Sequence, residues 1–200
     1  VLSQVGLLPE EVAQLEQFSV TEPVPLRFIS IGRFLHWKGF HLGLQAFAQA
    51  NLPPEAEYWI VGKGPEEVAL YTLATDLGIA AQVKFFPEMP RTDLMHKLGT
   101  CLALVHPSLH DSGAFVCLEA MAAGRPVICL DLGGPAVQVT EETGFKIATT
   151  NPETAIAGMA AAMHRLATEP ELRSQLGTAG RKRVNEFFNW STKGQFLSQV

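Results

Sequence analysis

The chain has 200 residues, 47% of them hydrophobic and 18% charged, with a formal net charge of −5. That is enough apolar material for a full core, and the size suits one domain or one large half of a two-domain enzyme. The acidic balance argues against nucleic acid as a partner, because gripping a phosphate backbone takes a basic face, whereas a small phosphate-bearing molecule needs only a few placed cations and helix N-termini.

The three cysteines, Cys101, Cys117 and Cys129, fall in strand-like or apolar helical segments without C-x-x-C or Cys/His metal spacing, and read as core residues of a reducing compartment. No apolar run approaches the roughly 18 residues of a membrane span. No basic-then-apolar leader opens the chain and no Met begins it. The expectation is a piece of a longer cytoplasmic protein with no transmembrane segment in this part, peripheral attachment of the parent at the inner membrane face being the alternative.

In chain order, Leu26 to Ile31 reads as a first strand, short and apolar as in strands buried on both faces. Phe40, Leu44 and Phe47 then recur at i, i+4 and i+7 behind Gly39, one face of a helix. Tyr58 to Val61 is the second strand; Glu66 to Leu77 is a helix that opens after Pro65 and stops at Gly78. Gln82 to Phe86 and Leu102 to Val105 are strands, Phe115 to Ala123 a helix, and Val127 to Leu130 a strand that Asp131 to Pro135 closes before opening a short helix. Phe145 to Ala148 is the last strand, after which helices run from Glu153 to Thr168, from Glu171 to Phe188 and from Trp190. This alternation predicts an α/β, doubly wound, Rossmann-like and mostly parallel six-stranded sheet, with helices on both faces and a helical C-terminal tail, as one domain over residues 1–200.

Within the helix Phe115 to Ala123 the one charge is Glu119. A buried carboxylate without a partner costs several kcal/mol, so Glu119 is expected on the open side of its helix, accepting hydrogen bonds from something polar. Asp111-Ser112-Gly113 forms a turn feeding that helix, whose free N–H groups and dipole favour an anion such as phosphate. At about 1.5 Å of rise per residue, Glu119 lies roughly 6 Å from the helix start, with Asp111 on the other side of it. The spacing suits a nucleotide sugar, with a pyrophosphate at the helix N-terminus, a ribose diol on Glu119 and sugar hydroxyls on Asp111. The other reading is that Glu119 faces solvent and Asp111 only caps the helix.

Loops at the carboxyl ends of parallel strands line the ligand crevice. After the first strand, Arg33 and Lys38 can neutralise a pyrophosphate, unless that turn is merely solvated. Val61-Gly62-Lys63-Gly64-Pro65 is neither a G-x-x-x-x-G-K-S/T phosphate loop nor a G-x-G-x-x-G fingerprint. Gly133 and Gly134 permit close backbone approach and a second helix N-terminus toward the same anion. The 6 histidines form no metal-like cluster, and no metal is expected.

Together these motifs resemble the donor-binding half of the GT-B glycosyltransferases, in particular the large retaining group called glycosyltransferase family 4. That family carries Glu, seven residues and Glu, then E-A-M-A-x-G-x-P-V-I; here Asp111 is the first acid, and the run from Glu119 to Ile128 matches the rest. Ile31 to Gly39 resembles the family's G-R-x-x-x-x-K-G element, whose Arg and Lys hold the donor diphosphate. Val61 to Pro65 resembles V-G-x-G-P, which puts Gly62 in the crevice floor, and Phe85 to Pro90 resembles F-x-G-x-V, which implies base contacts from the carbonyl and amide of Met89. His106-Pro107-Ser108 resembles an H-P-S element whose His is mostly structural, and Phe188-Asn189-Trp190 an F-x-W that precedes a helix crossing back onto the N-terminal domain. The chain departs from the pattern at Ser112-Gly113-Ala114-Phe115, where Gly-Phe-Gly is usual, at Pro87, where the family has glycine, and at Val137 or Gln138, where G-G-x-x-E ends in an acid.

The resemblance implies catalytic roles for Arg33, Lys38, Asp111 and Glu119, and donor contacts from Gly32, Arg33, Lys38, Gly62, Met89, Asp111, Ser112, Gly113, Ala114, Phe115, Glu119, Gly133 and Gly134. It implies a nucleoside diphosphate sugar as donor, hexosyl transfer with retention, and no metal or other cofactor. An N-terminal half carrying the acceptor site is then the partner, and this piece alone is expected to be inactive. Two further readings are a sugar-nucleotide epimerase on the same scaffold and a non-catalytic nucleotide-binding module. A nicotinamide-dependent oxidoreductase is argued against by the missing G-x-G-x-x-G after the first strand.

Overall fold

A computed structural model describes residues 4–19 and 25–198. Six strands, β1 (Arg27–Ile31), β2 (Glu57–Val61), β3 (Val83–Phe86), β4 (Ala103–His106), β5 (Val127–Leu130) and β6 (Gly144–Ile147), form one parallel sheet in the order β3-β2-β1-β4-β5-β6. The order reverses between β1 and β4, where Ile29 pairs with Leu104, and that reversal opens a crevice at the carboxyl edge. All six strands lie within one residue of the limits expected from the sequence.

Side chains alternate along each strand and so feed two separate apolar layers. Phe28, Tyr58, Ile60, Val105 and Ile128 pack with α2 (Phe40–Gln49), α3 (Glu67–Asp76) and α7 (Pro152–Thr168). Ile29, Val61, Leu104, Val127 and Cys129 pack with α1 (Pro9–Leu15), α4 (Arg91–Gly99), α5 (Phe115–Ala122) and the C-terminal segment. The short α6 (Gly133–Gln138) follows β5, and α8 (Pro170–Arg183) and α9 (Trp190–Leu197) form the tail. Among the described residues, no helix is long and apolar enough to cross a membrane.

Three features depart from the sequence reading. Helix α1 was not anticipated, and α4 is marked only by Leu94, Met95 and Leu98 among nine residues, too few to stand out as an apolar face. The helix expected to run unbroken to Phe188 ends at Arg183 and continues as a π-helical turn, Val184–Phe188. The turn leaves both Val184 and Phe188 buried against the second layer, and the Asn185 amide donates to the Arg181 carbonyl, which also accepts from the Val184 N–H.

A polar thread crosses the first layer. Ser30 Oγ donates to the Val105 carbonyl at 2.5 Å and meets Tyr58 Oη at 2.6 Å, so the tyrosine hydroxyl is the donor in the second bond. Burial pushes the Tyr58 phenol well above its ordinary pKa, against the effect of the Ser30 bond, and it stays a neutral donor. Ser30→Ala strands both the Tyr58 hydroxyl and the Val105 carbonyl and is expected to cost about 2 to 4 kcal/mol in urea unfolding. Tyr58→Phe leaves the Ser30 bond intact and should cost less; the reverse ranking would mean that the thread contributes nothing beyond packing.

Candidate functional site

The reversal of strand order sends the chain from β1 toward α2 on one face and from β4 toward α5 on the other, and the two loops are tied across the gap. After Ile31 come Gly32 and Arg33, then a 3-10 turn over His36–Lys38. The Trp37 carbonyl accepts from the Leu109 N–H at 2.8 Å and from Ser108 Oγ at 3.3 Å. Lys38 Nζ lies 2.5 Å from Asp111 Oδ2. Arg33, by contrast, is exposed, and its guanidinium meets no hydrogen-bond or ion-pair partner among the described residues.

Asp111 organises the turn before α5. Its Oδ1 accepts from the N–H groups of Gly113 (3.2 Å) and Ala114 (2.9 Å), which holds Ala114 in the left-handed region at φ 40° and points the chain into the helix. His106 Nε2 stands 3.3 Å from Asp111 Oδ2. His106, Lys38 and the Ala114 N–H hold the Asp111 carboxyl far below the usual carboxylate range, against the effect of its partial burial. Asp111 therefore does cap the turn, and it also pairs with Lys38; three donors occupy most of the roughly four acceptor positions of a carboxylate.

The next loop docks onto this turn. Gly134 N–H donates to the Asp111 carbonyl at 2.9 Å, and the Gln138 side-chain amide donates to the Gly113 carbonyl. Gly133 has φ 56°, and a methyl group on Gly134 would overlap the Ser112 carbonyl, so this approach requires the two glycines. Gly62, after β2, is similarly restricted at φ 146°, where a side chain would run into the Gly32 carbonyl. A small cavity of about 140 Å³ beside Gly62 is bounded by Phe34, Lys63 and Pro87. Met89, after β3, is half-buried against the second apolar layer.

Glu119 is buried, which overturns the reading that it faces solvent. Its partner is Arg91, the first residue of α4, whose Nε and Nη2 both reach Glu119 Oε1, at 3.0 and 2.7 Å. Arg91 Nη1 in turn pairs with Glu11 of α1 at 2.8 Å. Glu119 Oε2 accepts no hydrogen bond from a described residue. Phe115, at the start of α5, is half exposed, and Ser112 is exposed beside it. A larger cavity, about 670 Å³, opens between Ser112, Gly134 and Val137 on one side and Phe187, Phe188 and Phe196 on the other.

The structure thus brings Gly32, Arg33, Lys38, Gly62, Met89, the segment from Asp111 to Phe115, Gly133 and Gly134 to the carboxyl edge of one sheet, with Glu119 one turn inside α5. Sequence reasoning missed Arg91, Glu11 and Gln138. The lone carboxylate in an apolar helix signalled that a polar partner existed, but only the packing of α4 against α5 says which. Burial pushes the Cys101 and Cys129 thiols up to about 12 and Cys117 well above its ordinary value, which leaves all three as core residues rather than nucleophiles. Among the described residues, no three His, Cys, Asp or Glu side chains converge as a metal-ligand set.

The family described as "Glycosyl transferases group 1" matches residues 14–183, and the chain belongs to that family. It is 28% identical over 178 residues to the glycogen synthase of Mycobacterium tuberculosis, a match covering 88% of this chain and 42% of that protein. The solved sucrose-phosphate synthase of Thermosynechococcus elongatus is similar at 28% identity and a TM-score of 0.74, over 95% of this chain and 48% of that one. Anabaena Alr3699/HepE, solved in complex with UDP, shares the fold at a TM-score of 0.76 and 22% identity, over 96% of this chain and 52% of that one. The chain spans about half the length of these three proteins.

The Asp111 cluster carries a pH signature. A carboxyl whose folded pKa is depressed adds stability that is fully present above its unfolded pKa, near 3.9, and is lost as pH falls below that value. Asp111→Asn should lower stability by about 1 to 3 kcal/mol at pH 7, and the gap to wild type should shrink between about pH 4 and pH 2. Denaturant melts across that range check it; a gap independent of pH would mean that the carboxylate charge contributes nothing.

Proposed function

We propose that this group 1 glycosyl transferase chain is the nucleotide-sugar donor-binding half of a retaining GT-B glycosyltransferase. The observation that carries the reading is a crevice at the strand reversal that holds one uncompensated cation, Arg33, and one buried acid with an open oxygen, Glu119. Support comes from the family match and from the UDP bound in the similarly folded Anabaena protein.

In this reading the donor diphosphate lies between Arg33, Lys38 and the N-terminus of α5. Arg33 offers a planar fork, and Lys38 has two N–H donors left beyond the one given to Asp111. As the bond from the anomeric carbon to the diphosphate breaks, negative charge grows on the departing oxygens, where these fixed donors stabilise it without a metal or other cofactor. Glu119 Oε2 accepts the ribose hydroxyls. The backbone of Met89 meets the base near the Gly62 floor. The hexosyl unit lies over the turn from Ser112 to Phe115, with Asp111 shaping that turn and offering its last acceptor position to a sugar hydroxyl. The acceptor site belongs to a further N-terminal half, consistent with coverage of about half of each relative. Exposed Val137, Phe187 and Phe196 beside the larger cavity supply an apolar face for that half to cover. The buried, unreactive thiols suit a reducing, cytoplasmic setting.

Calorimetric titration with UDP, GDP and ADP, free and as sugar conjugates, tests the reading and identifies the base. Arg33→Ala should weaken binding of the preferred nucleoside diphosphate by about 10- to 100-fold with little change in melting temperature, the usual scale for a hydrogen bond to a charged group. Lys38→Ala should weaken binding and also lower stability, because it strips Asp111 of its partner. Unchanged affinity in both variants would move the anion site elsewhere.

A further inference from the structure

We propose that Arg91 is a positioning residue of the nucleotide site, holding the Glu119 carboxylate so that one oxygen is fixed by the protein and the other faces the ligand's ribose. The proposal rests on the ribose reading of Glu119 given above. An arginine meeting a carboxylate side-on commonly engages both oxygens, one with each nitrogen. Here Nε (3.0 Å) and Nη2 (2.7 Å) converge on Oε1 alone, and Oε2 is left without a hydrogen bond from any described residue. The guanidinium is fixed from its other end by Glu11, through Nη1 at 2.8 Å. A planar group held at three nitrogens has its plane defined, which a lysine ammonium, with rotatable donors on a flexible stem, does not reproduce.

The carboxylate has need of such a fixture. The terminal torsion of a glutamate is broad, so packing around the stem does not set which oxygen points outward. The Glu119 side chain is 12% exposed and that of Arg91 47%, so the arginine reaches in from the crevice rim and meets an acid that the rest of α5 surrounds with apolar groups. Arg91 also begins α4 directly after the loop from β3 that carries Met89, so the base loop and the ribose acid share one anchor. A purely structural tie between α4 and α5 accounts for the ion pair and predicts no effect on how the site reads a ribose.

The test compares whichever of UDP, GDP and ADP the chain prefers with the 2′,3′-dideoxy form of that nucleotide, in calorimetric titrations of the wild-type chain, Arg91→Ala, Arg91→Lys, Glu119→Gln and the Arg91→Ala/Glu119→Gln double variant, with a thermal melt of each. Wild type should prefer the ribose form by about tenfold or more, the scale of hydrogen bonds to a charged acceptor. Both Arg91 variants should reduce that preference to near one. In the Glu119→Gln background, where the preference is already low, Arg91→Ala should change it no further. Arg91→Lys keeps the positive charge and decides the question alone should Arg91→Ala unfold. Folded Arg91 variants that keep the wild-type preference overturn the positioning role while leaving the ribose reading intact. A wild-type chain that binds the two nucleotides alike, or binds neither, removes the ribose reading and the proposal together.

Discussion

The ion pair between Lys38 and Asp111 closes the gap that the strand order opens. Where β1 and β4 pair, the chain departs to α2 on one face and to α5 on the other, so no regular element spans the carboxyl edge there. Side chains must do it, and a lysine from one loop meets an aspartate from the other at 2.5 Å, beside the Leu109 N–H and Trp37 carbonyl. The Asp111 side chain and carbonyl then reach two further segments, the Ala114 turn through Oδ1 and the start of α6 through the Gly134 N–H. Three loops that share no secondary structure take their relative positions from one acid. Its depressed pKa expresses the same fact, since several donors converge on the charged form.

That arrangement sorts the cations of the crevice. Lys38 is partly neutralised before any ligand arrives, and Lys63, across the small cavity, pairs with Glu88 at 2.7 Å. Arg33 carries no such partner among the described residues and stands exposed on the rim. In a chain of net charge −5, a locally uncompensated guanidinium at the carboxyl edge of the sheet makes a confined positive region rather than a basic face. Such a region suits a small anion of two or three charges and does not suit a nucleic-acid backbone.

Much of this was legible in the sequence, and the reasons are specific. Strand runs such as Val127 to Leu130 are short, apolar and bounded, so the sheet follows, and the loops after parallel strands must gather at one edge whatever their composition. Legibility ended where a side chain's partner lies far along the chain. Glu119 advertises a missing partner, yet Arg91 is 28 residues away on a helix with little apolar periodicity, and Glu11 belongs to a helix the pattern did not reveal. Gln138, which reaches the Gly113 carbonyl, sits where the family pattern sought an acid and was read there as a departure. The π-helical turn at Val184 is invisible to a 3.6-residue template, because both pitches place Val184 and Phe188 on about the same side.

The two acids of the site differ for a reason that lies in the backbone. Asp111 precedes a helix, where unpaired N–H groups are abundant, and a carboxylate placed there collects them at once. Glu119 lies inside the helix, where the N–H groups are already bonded to carbonyls one turn back, so only side chains from other elements can reach it. One does, and it takes a single oxygen. Of two carboxylates spaced eight residues apart, the one in the turn is therefore nearly filled by its own surroundings, while the one in the helix retains an acceptor. The turn acid ties loops together and the helix acid keeps an open acceptor, a division that position along the chain imposes on two residues of nearly identical chemistry.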